Sequence, residues 1–94
     1  MSADTAQVRL GRPVKHSLTL KGHRTSVTLE DTFWHAFREI AAERGIAINA
    51  LAAEIDAARG MDSGLASAIR VHVLEHYRNK YTAGAVARHV ERLS

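Results

Sequence analysis

Hydrophobic and polar residues alternate in the first third of the chain, in two runs that meet at Gly22. In the run 14–20 the apolar residues stand at even positions, and in the run 23–30 they stand at odd positions. Side chains of a strand alternate between its two faces, so one regular strand across both runs would turn its apolar face over. The pattern predicts a hairpin with a tight turn at Lys21-Gly22, or a ribbon with a glycine bulge there.

The second run separates an apolar face from a polar face. Thr25, Val27 and Leu29 can pack on a hydrophobic core, while the even positions present hydrogen-bonding groups at strand spacing. A lone strand exposes unpaired backbone groups along both edges, so this strand needs a partner from the same chain or from a second copy. The polar positions are Arg24, Ser26 and Thr28.

Helical spacing replaces the alternation after residue 30. It predicts a helix over 31–44 that Gly45 ends in the left-handed conformation, and a second helix from Ile48 or Asn49 to about residue 59. A third helix is expected over 65–81, and its wide apolar surface indicates burial on more than one side, for example in a dimer. The stripe residues are Phe33, Phe37, Ile40 and Ala41, then Ile48, Leu51, Ala52 and Ile55, then Leu65, Ile69, Val73 and Tyr77.

Length and composition indicate one small domain. The chain has 94 residues, of which 46% are hydrophobic but only 5% aromatic. Alanine-rich helices bury little area, so a dimer would add stability.

We expect a mobile basic arm at 1–12, a domain at 13–81, and a tail or short helix at 82–94. The chain has no cysteine, no membrane-length apolar run and no apolar core of a signal peptide, which predicts a cytoplasmic protein.

Basic residues are concentrated before Thr25. The net charge is +3, and Asp4 is the only acidic residue in this segment. A basic segment that leads into a strand is an expected footprint for contact with nucleic acid phosphates. The basic residues are Arg9, Arg12, Lys15, His16, Lys21, His23 and Arg24.

The sequence offers little support for catalysis. It has no cysteine, no G-x-S-x-G motif and no phosphate-binding glycine loop. His72 and His76 fit the H-x-x-E-H zinc pattern and share one helical face, but a catalytic zinc needs a third ligand and a cleft. We interpret the pair as the edge of a buried helix and leave an incidental metal open. The prediction is a protein that is not an enzyme and uses no cofactor or metal.

The order of strand, helix, glycine turn and helix resembles the ribbon-helix-helix family of DNA-binding proteins, the group of the Arc and methionine repressors. The resemblance rests on RTSVTLEDTFWHAFREIAAERG followed by IAINALAAEI. A longer likeness, HSLTLKGHRTSVTLEDTFWHAF with SGLASAIRVHVLEHYR, is similar to a bacterial subfamily with an added carboxy-terminal helix. The resemblance implies a mainly α fold with a short β-ribbon, in a homodimer whose strands pair between protomers.

The resemblance also implies roles for particular residues. The outward side chains of the ribbon, here Arg24, Ser26 and Thr28, would read base edges in the major groove. Phosphate contacts would come from Arg12, Lys15 and Lys21 and from the start of the second helix at Ala47, Ile48 and Asn49. The dimer core would contain Val27, Leu29, Phe33, Phe37, Leu51, Ile55, Ile69 and Val73.

Two departures from the family pattern bear on function. Ala47 replaces the small hydroxyl residue that usually caps the second helix, although Asn49 could substitute if the helix starts later. The run 14–20 could pair beside the ribbon and make it too wide for the groove. The leading hypothesis is a sequence-specific DNA-binding regulator, acting as a repressor on double-stranded DNA. The alternative is a dimeric protein-interaction module, or an antitoxin-like protein, that binds DNA weakly or not at all.

Overall fold

The structure is a computed structural model that describes residues 11–61 and 63–93, with side chains described at 11–61 and 63–83. Most of the arm that the sequence predicts at 1–12 lies outside the described residues. The described chain forms a hairpin followed by three helices.

Strand β1 (Pro13–Leu20) pairs antiparallel with strand β2 (His23–Glu30), from Leu20 opposite His23 to Pro13 opposite Glu30. The connecting residues Lys21 and Gly22 have φ angles of 51° and 83°. Two consecutive residues with positive φ form the turn whose twist matches that of the flanking strands. The chain therefore adopts the tight turn, not the glycine bulge.

The change of parity at the turn places the apolar residues of both strands on one face. Leu18, Val27 and Leu29 are buried there. Beside them the imidazole of His16 stacks on the indole of Trp34, with ring centroids 4.0 Å apart and planes inclined by 6°. This face of the hairpin packs against the helices.

Helix α1 (Asp31–Arg44) follows β2 directly and ends where the sequence predicts. Gly45 adopts a left-handed conformation with φ 68°, and its N–H donates to the Ala42 carbonyl at 3.1 Å. The Ile46 N–H donates to the Ala41 carbonyl at 3.0 Å. These two bonds satisfy carbonyls at the helix end, and glycine suits the position because it lacks a Cβ.

Helix α2 (Ile48–Ala58) and helix α3 (Leu65–Leu93) complete the fold. The sequence predicted the end of α3 near Tyr81, but the helix continues for another twelve residues, as its bounds show. The segment after Tyr81 is rich in alanine and contains no proline, and its one glycine, Gly84, costs a helix only about 1 kcal/mol relative to alanine. The predicted boundary at residue 81 therefore does not coincide with a helix end.

The core lies between the apolar face of the hairpin and the three helices. Seven of the eight residues predicted for a dimer core are buried inside this single chain, and the eighth, Phe33, is partly buried against them. Their contact with a second chain stays a prediction. The buried set is Leu18, Val27, Leu29, Phe37, Ile40, Ala41, Leu51, Ala52, Ile55, Ile69 and Val73.

Exposed ion pairs connect α1 to the other two helices. The Arg44 guanidinium donates to both carboxylate oxygens of Glu54, at 2.6 and 3.0 Å. The Glu43 carboxylate lies 2.6 Å from the Lys80 ammonium and 3.2 Å from His76 Nε2. These hydrogen bonds, first from Lys80 and then from His76, lower the pKa of the Glu43 carboxyl. Solvent screens such pairs, so each adds little to folding stability.

Candidate nucleic-acid interface

The hairpin face that points away from the helices is polar and exposed. Residues directly opposite in an antiparallel pair share a face, and here three such pairs lie side by side along the hairpin. All six side chains are exposed. We call these residues the reading face: Lys15 opposite Thr28, Ser17 opposite Ser26, and Thr19 opposite Arg24.

The reading face combines two cations with four hydroxyl groups, and the next residue of β2 on the same side of the hairpin is Glu30. Arg24 can donate two parallel hydrogen bonds to O6 and N7 of guanine, and serine or threonine hydroxyls can donate or accept at any base pair. The Lys15 ammonium is a compact charge of the kind that contacts phosphate. The three predicted base readers, Arg24, Ser26 and Thr28, therefore lie together on one accessible surface.

An arginine neutralises the acid at the open end of the hairpin. Glu30 terminates β2, and its carboxylate lies 2.9 Å from the Arg70 guanidinium of α3. A backbone hydrogen bond at Glu30 itself, followed by the hydrogen bond from Arg70, lowers the pKa of this carboxyl. It is therefore ionised at neutral pH and paired with a cation, which reduces its repulsion of a phosphate backbone.

The start of helix α2 lies against the edge of β1. The Asn49 side-chain oxygen accepts a hydrogen bond of 3.0 Å from the Thr19 N–H. Asn49 therefore joins the helix to the hairpin. The sequence analysis had considered Asn49 as a substitute cap of the helix. Within the part of the chain that the structure describes, Ala47 precedes the first turn without a side-chain cap.

The first turn of α2 leaves backbone donors next to the reading face. The first intrahelical bond runs from the Leu51 N–H to the Ala47 carbonyl at 3.1 Å. The amides of Ile48, Asn49 and Ala50 precede it, and such amides have no partner inside their own helix. The predicted phosphate contacts of α2 are thus close to Thr19, at the turn end of the hairpin.

The three predicted basic contacts are exposed but widely spaced along the hairpin. Lys21 is the first residue of the turn, Lys15 lies on the reading face, and Arg12 precedes β1. A strand of eight residues spans about 26 Å, so Arg12 and Lys21 are at opposite ends of the hairpin. The structure brings Lys15 and Lys21 beside the predicted readers and leaves Arg12 at the open end.

Strand β2 obtains a partner strand from its own chain, namely β1. The opposite edge of β2 approaches α3, where Arg70 Nη2 donates a weak hydrogen bond of 3.5 Å to the Thr28 carbonyl. Pairing of β2 with a second chain, which the resemblance implied, stays a prediction.

The two histidines of the H-x-x-E-H sequence lie partly buried on α3. His76 contacts Glu43 of α1, while burial, followed by the charge of His76, lowers the pKa of His72. Among the residues described, no group of three or more histidine or carboxylate side chains is placed to hold a metal ion. The described helices also include none that is long and apolar enough to span a membrane.

An antiparallel β-ribbon followed by packed helices defines the class of small ribbon-helix-helix domains. A family model described as a ribbon-helix-helix domain matches residues 13–77, well over half of the chain. The protein belongs to this family, whose members are typically DNA-binding transcription regulators or antitoxins and are generally not enzymes. Comparison with characterised proteins and with solved structures gave no match.

Sequence reasoning missed two groups of residues at this site. Ser17 and Thr19 were not predicted as readers, although the alternation in β1 and a two-residue turn together fix which residues of β2 they oppose. Arg70 was missed as well, because it lies 40 positions from Glu30 and local periodicity carries no signal for such a contact.

Proposed function

We propose that the protein is a sequence-specific regulator of transcription that binds double-stranded DNA as a homodimer in the bacterial cytoplasm. The observation that carries this proposal is the reading face, with its two cations and four hydroxyls and with the neighbouring Glu30 carboxylate paired to Arg70. Arg24, Ser26 and Thr28 contact base edges, and occupation of the operator blocks transcription. The proposal holds whether the second strand of the ribbon comes from the same chain or from another.

Phosphate contacts orient the reading face on the duplex. Lys15, Lys21 and Arg12 provide charge, and the amides at the start of α2 provide donors at a position where the helix dipole favours an anion. Asn49 supports this role because its bond to the Thr19 N–H keeps the helix start beside the hairpin. Such contacts add affinity for any sequence, while the readers add preference.

Salt dependence of binding tests the proposal. Each phosphate contact releases counterions, so affinity for random duplex DNA falls as the salt concentration rises. In a plot of the logarithm of the binding constant against the logarithm of the salt concentration, each contact adds about −0.9 to the slope. We expect Lys15→Gln to weaken binding to all sequences and to reduce this slope by about 1. The matched control is Arg78→Gln, a change at an exposed residue of α3.

A protein-interaction module is the second candidate function. Val71, Leu74 and Tyr81 of α3 are large apolar side chains that are 55%, 56% and 72% exposed. Their spacing of three and seven residues places them along one helical stripe, as a protein partner or an antitoxin-like role would require. Failure to bind random duplex DNA even at low salt would reject the DNA-binding proposal in favour of this one.

A further inference from the structure

A cleft lies beside the turn of the hairpin, on the side of the strands that faces the helices. It has a volume of about 360 Å³, and the hairpin, the end of α2 and the start of α3 all contribute to its lining. Pockets that hold small molecules usually have volumes of about 300–1,000 Å³ and combine apolar walls with a few polar groups. We call this space the turn cleft, and its principal lining residues are Lys21, His23, Thr25, Asp56, Arg59 and Leu65.

The hairpin contributes polar side chains to the turn cleft at positions where the alternation calls for apolar ones. His23 and Thr25 are odd-numbered residues of β2, so their side chains are on the strand face that packs against the helices. The next odd residues, Val27 and Leu29, are buried there, whereas His23 and Thr25 are exposed. Such breaks in a local pattern are expected at functional sites, because these polar groups add nothing to the core.

Lys21 has an unfavourable backbone conformation at the edge of the turn cleft. Its φ of 51° is in the left-handed region, which turns of this kind usually fill with asparagine, aspartate or glycine. Conformations that are unfavourable for a residue with a Cβ are found preferentially at sites where a ligand is held. The exposed ammonium group of Lys21 gives the turn cleft a cation.

Arg59 adds a second cation to the lining and neutralises its carboxylate. The Arg59 Nε donates to Asp56 Oδ1 at 2.7 Å, and its Nη1 donates to the Ser63 carbonyl at 2.7 Å. Among the residues that the structure describes, no carboxylate forms an ion pair with Lys21. The turn cleft therefore has a positive charge in excess of its one acid, which favours an anion.

Two leucines provide the apolar part of the wall. Leu20 and Leu65 are partly buried and pack against the core. A molecule that contacts them is stabilised by the removal of apolar surface from water. The same molecule would place a charged group on the hairpin side of the cleft, where hydrogen bonds to an ion are stronger than those between neutral groups.

We propose that the turn cleft binds a small organic anion, with its carboxylate or phosphate head at Lys21 and Thr25 and its apolar body against Leu20 and Leu65. The imidazole of His23 can donate a further hydrogen bond to the head. This inference goes beyond the proposed function, because the cleft is on the side of the hairpin away from the reading face. Lys21 alone belongs both to the cleft and to the proposed DNA contacts.

Titration of the full chain without DNA tests this inference, with calorimetry or NMR chemical shifts as the readout. The probes are benzoate and phenyl phosphate, which carry the two kinds of head on the same ring. Benzamide has the ring without the charge, and acetate and inorganic phosphate have the charge without the ring. At least one of the two probes should bind about tenfold or more tightly than benzamide and than its own ringless anion, because charged hydrogen bonds and apolar contact both contribute.

Matched variants locate the bound probe. Thr25→Val keeps the shape of the side chain but removes its hydroxyl, and Lys21→Gln removes the cation. Each should weaken binding by about two- to tenfold, the effect of one hydrogen bond or one exposed ion pair. Arg78→Gln removes an exposed cation of α3 that does not line the turn cleft, and it should bind the probe as the parent does.

Three results would overturn the inference. The first is that neither probe binds more tightly than benzamide, and the second is that the ringless anions bind as well as the probes. The third is an equal loss of binding in Arg78→Gln and Lys21→Gln, which would show a response to net charge alone. None of these measurements contains DNA, so their failure leaves the proposed function to be judged by its own salt-dependence test.

Discussion

The two faces of the hairpin are built from the same two strands but carry opposite kinds of residue. On one face Leu18, Val27 and Leu29 are buried against the helices. On the other, Ser17, Ser26 and Thr28 are exposed to solvent. Adjacent residues of a strand therefore belong to different surfaces. A residue that packs in the core can be the direct neighbour of a residue that is a candidate for contact with DNA.

This difference means that stability and recognition can be altered independently. A substitution on the buried face removes packing, whereas a substitution on the reading face removes a polar group that water already solvates. Alternate residues from Ser26 to Leu29 should thus give alternate phenotypes. Three substitutions in the hairpin test that separation, in order of decreasing effect, and a fourth tests an ion pair on α1.

The largest effect is expected for Leu29→Ala. Leu29 is completely buried, and truncating such a leucine costs about 2–5 kcal/mol of the free energy of unfolding. That is a large part of the 5–15 kcal/mol typical of a small domain. Thr28→Ala, one residue earlier and exposed, should change stability by no more than about 0.5 kcal/mol. Urea denaturation of both variants measures the contrast, and equal losses would show that the faces are not separate.

Arg24→Ala should weaken base discrimination and leave stability unchanged, the opposite of what is expected for Leu29→Ala. We expect unfolding to be unaffected within about 0.5 kcal/mol, because Arg24 is exposed. Discrimination at one base pair of the preferred duplex should fall by about 1–3 kcal/mol through loss of a bidentate contact with guanine. The measurement is the affinity for the matched duplex and for each single mismatch. A variant that discriminates as well as the parent would remove Arg24 from the set of readers.

Gly22→Ala should disturb both faces at once, because the turn sets the register between them. Gly22 has φ +83°, a conformation that costs a residue with a Cβ about 1–2 kcal/mol. Thermal unfolding should show this loss. Gly60→Ala is the matched control, since a Cβ at Gly60 would meet open space and its φ is not in the left-handed region. Equal stability of the two variants would contradict the tight turn.

The smallest effect concerns Glu43, which lies on α1 and contacts α3. Its pKa is lowered from the ordinary value of 4.5, so its ion pairs stabilise the folded chain above that pH and lose this contribution as pH falls below it. The melting temperature of Glu43→Gln should therefore lie slightly below that of the parent at neutral pH and converge with it in acid. Glu75→Gln, exposed and outside the ion pairs found among the described residues, should show no such convergence.

Local patterns were sufficient to predict the first helix, and they limited the two runs before it to a hairpin or a bulged ribbon. The alternation with its change of parity located the turn at Lys21-Gly22, and Gly45 marked the end of α1. Both are short-range effects of backbone geometry, which the sequence displays directly.

Contacts between distant segments could not be predicted in the same way. Asn49 was considered as a helix cap, but its oxygen accepts from Thr19, which lies 30 positions earlier. The continuation of α3 beyond Tyr81 was missed because the segment after it mixes alanines with Gly84, a composition that is compatible with either a helix or a tail. The β1 half of the reading face, in contrast, follows from the alternation once the two-residue turn is chosen over the bulge, and the register confirms this turn.

The stack of His16 on Trp34 gives the molecule an intrinsic optical probe. Trp34 is the single tryptophan of the chain, and its ring lies against a residue of β1. Its emission therefore comes from the junction between the hairpin and α1, without any label. Separation of β1 from the helix would remove the imidazole from the indole, so a change in tryptophan fluorescence would follow the hairpin in particular while circular dichroism follows the helices.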